Sequence, residues 1–154
     1  MRNETEVRHW LAGMKNFGCI VEWVEAGRGG TYGLADANLF LPSMIMIPIE
    51  LKLWERNARC DGFKARLNKH QVRYHAVNAK ANRPTLLLWG TRESDYVWFL
   101  PGHRAPKVVT STVLLEARGL IAVQPWEKRE FVQSLEFGIP WRDTDIMPRA
   151  LSIA

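Results

Sequence analysis

Asp36 and, fourteen residues on, the Glu50-x-Lys52 triplet at the end of an apolar run are the residues of this chain that could do chemistry. Two hard carboxylates can hold Mg²⁺ or Mn²⁺, ions that prefer oxygen ligands, keep several waters and bridge to substrate phosphate. Such an ion polarises a phosphoryl oxygen and lowers the pKa of a water. A neighbouring ammonium, Lys52, orients that water and offsets charge developing in the transition state. The chemistry would be hydrolysis of a phosphodiester. A plainer reading stays open, with Glu50 and Lys52 as a strand-end ion pair and Asp36 as a turn residue.

The elements that must position these groups can be read locally. The run from Met44 to Leu53 is apolar until its end, as in a strand buried on both faces and emerging at one edge. Alternation sends Glu50 and Lys52 to one face and Ile49, Leu51 and Leu53 to the other. Asp36 opens a second strand-like run to Pro42, and a turn at Pro42-Ser43 would bring Asp36 beside Glu50.

Upstream, Asn3 and Glu6 make a capping-box-like helix start, with Val7, Trp10, Leu11 and Met14 at helical spacing. Cys19 to Ala26 predicts the first strand. The stretch Gly27 to Gly33 lacks the lysine of a P-loop; it is either a flexible connection or a phosphate contact, with Arg28 as the cation. From Trp54 to Arg66 the chain reads as a basic loop carrying Arg56, Arg59, Lys64 and Arg66. It could grip a nucleic-acid backbone, or its aromatics could tuck into the core.

Leu67 to Val72 has complete helix-start grammar: Asn68 as cap, Gln71 three residues on, and Leu67 with Val72 as a staple. A helix from Lys69 to Ala81 follows, with strands over Thr85 to Trp89 and Tyr96 to Leu100. His70 and His75 are five residues apart, too far round the helix to form a zinc pair, and His75 is expected to face the core. Short helices are predicted over Ser111 to Arg118 and Trp126 to Phe137. The last sixteen residues read as a packed strap or a partner-binding extension.

With 154 residues, 47% of them hydrophobic, the chain suits one globular domain, and its net charge of +5 suits a polyanionic partner. A ribosome-like or membrane-surface partner would fit the charge as well. No apolar run approaches the roughly 20 residues that span a bilayer, and the amino terminus begins a polar helix, so a cytoplasmic location is expected. Cys19 and Cys60 form no zinc spacing and are expected to be free thiols.

The order helix, strand, glycine stretch, Asp strand, Glu-x-Lys strand, helix, strand resembles the PD-(D/E)XK nuclease superfamily. In detail it is similar to the small stand-alone VRR-NUC nucleases of bacteria and phages. Glu4-Thr5-Glu6-Val7, Gly27-Arg28 through Asp36, Ile49-Glu50-Leu51-Lys52 and Arg66-Leu67-Asn68-Lys69-His70-Gln71 carry the resemblance, which spans residues 3 to 100. Ala35 stands where that family has proline, the glycine stretch is longer, and the span from Lys52 to Gln71 holds an insertion.

The resemblance implies an α/β fold with a restriction-endonuclease-like core, a mixed central sheet flanked by helices, over residues 1–102. Residues 103–154 would form a carboxyl-terminal extension, packed on the core or used for dimerisation or partner binding. It further implies Asp36, Glu50, the Leu51 carbonyl and Glu4 as metal ligands, with Glu6 as the alternative to Glu4. Lys52 would be the catalytic lysine, and Gln71 would support the metal water or the phosphate, beside its capping role. Lys69, with the basic residues above, would contact DNA. The implied activity is a Mg²⁺- or Mn²⁺-dependent deoxyribonuclease, selective for branched DNA such as a Holliday junction and working as a homodimer. Flap cleavage, nicking and exonucleolysis would fit the same site, and a catalytically idle nucleic-acid-binding module is the rival from another class.

Overall fold

The computed structural model describes residues 3–24, 35–54, 56–57, 62–63, 67–91, 94–104, 121–124 and 126–137. The glycine stretch with Arg28, together with Arg59, Cys60, Lys64, Arg66, the helix expected over 111–118 and the last seventeen residues, lies outside them.

Helix α1 runs Glu4–Ala12. The Asn3 side chain accepts from the Glu6 N–H at 2.8 Å, as the cap grammar requires. A 3-10 turn, Gly13–Phe17, ends at Gly18, whose φ of 82° suits the residue without a side chain. Strands β1 (Ile20–Trp23), β2 (Ala37–Phe40) and β3 (Met46–Trp54) then form an antiparallel meander. Two short strands, β4 (Arg56–Asn57) and β5 (Gly62–Phe63), pair with each other where the sequence suggested only a loop. Helix α2 (Lys69–Lys80) crosses over to β6 (Leu86–Thr91), which lies parallel to β3. Strand β7 (Ser94–Pro101), a 3-10 turn at Gly102–Arg104, β8 (Ile121–Val123) and helix α3 (Lys128–Phe137) complete the described chain.

The sheet is mixed, with six strands in the order β1-β2-β3-β6-β7-β8. This is the α/β architecture expected from the sequence, with β8 added at one edge. Pro48 lacks an N–H and sits one residue before the β3–β6 ladder begins at Ile49 and Leu86.

One sheet face packs on α1 and α3. Leu39, Ile47, Ile49, Leu51, Leu88 and Phe99 meet Val7, Trp10, Leu11, Met14, Phe131 and Leu135, all buried. Phe131 packs edge-on against Trp10 at 5.0 Å and Phe99 at 4.9 Å between ring centroids. Phe131 and Leu135 thus belong to the core, whereas Trp126 and Phe137 are exposed. The opposite face carries Glu50 and Lys52 and is approached by α2. No helix among the described residues is long and apolar enough to cross a membrane.

Candidate active site

Asp36, Glu50, Lys52 and Gln71 come together where β2 begins and β3 leaves it. The Asp36 N–H donates to the Ile49 carbonyl at 2.9 Å, extending β2 by one residue. Its carboxylate Oδ2 in turn accepts the Leu51 N–H at 2.8 Å. Backbone groups of alternate strand residues point to the same edge, so the Leu51 carbonyl opens on the Asp36 side, beyond the last β2–β3 pair of Ala37 with Ile49.

Glu50 faces away from the core cluster, yet only 2% of it is exposed. Its Oε1 receives the Lys52 ammonium at 2.7 Å and the Gln71 side-chain N–H. The Gln71 amide has two functions: its Oε1 accepts the Asn68 N–H at 3.0 Å, completing the capping box. Helix-start grammar and site geometry therefore meet in one side chain.

Burial, then the nearby Asp36 carboxylate, pushes the Glu50 carboxyl up to about 7, against the opposing pull of Lys52 and Gln71. The Asp36 carboxyl is also raised, chiefly by desolvation; the Leu51 N–H and Lys52 work against this, and Glu4 adds to it. Two desolvated carboxylates that repel one another make an oxygen-rich donor set suited to a hard divalent cation. Its charge would relieve the repulsion that Lys52 relieves in part.

Glu4 is exposed on the first turn of α1. It pairs with Arg8 at 3.4 Å, and its charge reaches Asp36. Glu6 is held at the helix cap, where its carboxylate accepts from the Asn3 amide at 3.4 Å. Among the described residues, no three His, Cys, Asp or Glu side chains converge as a ready-made metal cluster. Lys69 is exposed at the start of α2. Arg56 lies on β4, but its side chain is outside the description, and so are Arg28, Arg59, Lys64 and Arg66.

Neither Thr85 nor Gly102 stands out in the sequence, and His75 is legible there only as a core-facing residue. His75 is indeed fully buried, and its Nδ1 lies 2.8 Å from the Thr85 hydroxyl. The signal for this contact was weak, since a lone Thr and a lone Gly carry no motif.

No protein-family model and no curated protein matches the chain. Among solved structures, a VRR_NUC domain aligns with a TM-score of 0.45 and 18% identity, covering 60% of this chain and 89% of that one. Hjc of Archaeoglobus fulgidus, a Holliday junction resolvase, aligns with a TM-score of 0.47 and 11% identity, covering 80% of this chain and 88% of that one. The chain is thus similar in structure to a VRR_NUC domain and to a junction resolvase.

Proposed function

We propose that this chain is a divalent-metal-dependent DNA nuclease, selective for branched DNA of the Holliday-junction kind and acting as a homodimer. The observation that carries the nuclease reading is the Glu50 carboxylate: raised by its burial and then by Asp36, and touched by both Lys52 and Gln71. A buried carboxylate facing a second, half-buried one costs stability, and strongly perturbed carboxyls of this kind cluster at functional sites. The preference for junctions rests on the sequence resemblance, since the site geometry itself carries no information on DNA shape.

Asp36 and Glu50, with the Leu51 carbonyl, would hold Mg²⁺ or Mn²⁺; Glu4 stands within electrostatic reach as a further acidic group. The bound cation supplies Lewis acidity to the phosphoryl oxygen and to water. Lys52 presents an ammonium beside Glu50, where it orients the attacking water by hydrogen bonding and stabilises charge on the phosphorane-like transition state. Gln71 keeps the Glu50 oxygen aimed, leaving less reorganisation for the reaction to supply.

The test is an end-labelled four-way junction, a flap, a duplex and a single strand, each incubated with Mg²⁺, Mn²⁺ or chelator. Metal-dependent cuts in symmetric pairs on the junction are the expected result. Binding with no product in either metal would leave an idle DNA-binding module.

A further inference from the structure

His75 follows Gln71 by four residues and so shares its face of α2. Within α2 it is the buried residue, and no apolar side chain of the helix is fully buried to key its rotation. The contact it makes instead is directional. Its Nδ1 lies 2.8 Å from the Thr85 hydroxyl. Thr85 stands immediately before β6, the strand paired with the Glu50 strand. Gly102 closes the group from the end of β7: its N–H donates to the Thr85 carbonyl at 2.7 Å. A Cβ at Gly102 would stand 1.8 Å from the Thr85 hydroxyl oxygen and 2.5 Å from His75 Nδ1, so only glycine allows so close an approach.

An imidazole is a costly way to fill this space. Burial, with the Lys52 charge as a lesser cause, lowers its pKa to about 4, so the ring is neutral. Its Nε2 is buried with no hydrogen-bond partner among the described residues. Replacing a buried polar pair by apolar groups of similar shape is nearly neutral for stability, so the fold alone does not call for histidine here. Direction does, because a helix on an apolar surface can slide or turn where a hydrogen bond holds one orientation.

We propose that His75 is a positioning residue: through Thr85 and Gly102 it fixes α2 in the rotation that sets the Gln71 amide on Glu50. The proposal deepens, and rests on, the nuclease reading of that site. It assigns His75 no contact with substrate.

The experiment compares three purified full-length chains: wild type, the double variant His75→Leu with Thr85→Val, and His75→Asn, which keeps a polar atom near the Nδ1 position. Thermal unfolding, the Gln71 side-chain amide resonances, Mn²⁺ affinity by calorimetry, and kcat and KM on junction DNA are measured for each. The double variant should melt within a few degrees of wild type, with the Gln71 amide resonances moved and kcat lowered about 10- to 100-fold at unchanged KM. His75→Asn should restore the amide resonances and most of kcat. Unchanged Gln71 resonances in the double variant would overturn the proposal, as would loss of activity in step with loss of stability and without rescue by Asn. A wild-type chain that cuts no DNA would sink the nuclease reading alone, since the Gln71 resonances report on His75 without turnover.

Discussion

Lys52 and Glu50 lie two residues apart on one face of β3, and their side chains meet at 2.7 Å although Glu50 is buried and Lys52 is partly open to solvent. A charge pair half in water and half out of it is poised to exchange partners, and a cation arriving beside Asp36 would supply the exchange. Substituting Asp36, Glu50 or Lys52 by Ala should each lower cleavage by at least about a hundredfold while leaving a cooperative melt, because these groups face the site and not the core cluster. DNA binding by Lys52→Ala should largely survive. Near-normal turnover by Glu50→Ala, with contaminating nuclease excluded, would falsify the site.

Gln71 separates its two functions by atom: Oε1 serves the cap and Nε2 serves Glu50. Gln71→Ala should lose both, with a stability cost of about 1 kcal/mol from the cap. Gln71→Glu keeps a capping acceptor but sets a carboxylate against Glu50 where a donor stood, so it should recover neither the full melting temperature nor the rate. Full recovery of both would reduce Gln71 to a cap.

Protonation gives a third check. Glu50 is raised from 4.5 to about 7, so the folded state holds its proton more tightly than the unfolded chain does. The stability this contributes is full below pH 4.5 and is lost as pH rises through about 7. His75, lowered from 6.5 to about 4, runs the other way: its contribution is full above 6.5 and is lost as pH falls through 4. Above 6.5 only the Glu50 slope of this pair remains. Metal-free protein should therefore melt lower at about pH 8 than at about pH 6.5, and Glu50→Gln should flatten the difference. Added Mn²⁺ should reverse it, because metal binding to carboxylates strengthens as protons leave.

Replacing Arg56, Arg59, Lys64 and Arg66 together by Gln should weaken DNA binding and flatten its salt dependence, by roughly one unit of log-log slope for each lost phosphate contact. Mn²⁺ affinity should hardly move. An unaltered slope in fluorescence anisotropy titrations would mean that this segment faces away from DNA.

Assembly is open to light scattering, where a homodimer is expected with or without junction DNA. Phe131→Ala should destabilise the fold by about 3–5 kcal/mol, because its ring fills the space between Trp10 and Phe99. Trp126→Ser and Phe137→Ser remove exposed apolar surface and should affect association more than folding. A strict monomer at micromolar concentration would redirect the activity toward nicking or flap cleavage.

Much of the site was legible in the sequence because it depends on short-range rules. Alternation along one strand put Glu50 and Lys52 on a common face, the apolar residues around them marked that strand as buried, and Asn68 with Gln71 announced a helix start from four residues. Other features join residues too far apart for any local pattern to couple them. Gln71 reaches Glu50 only because α2 lies over β3. Phe131 lies in the core because α3 returns to pack on Trp10 and Phe99. His75, Thr85 and Gly102 form one contact from a helix, a strand entrance and a strand exit, and each alone is an ordinary residue. Periodicity and capping act within a few residues of chain, whereas these contacts depend on how faces already formed are packed on one another. The sequence by itself therefore determined which groups could do chemistry, and the tertiary structure decided how they are held.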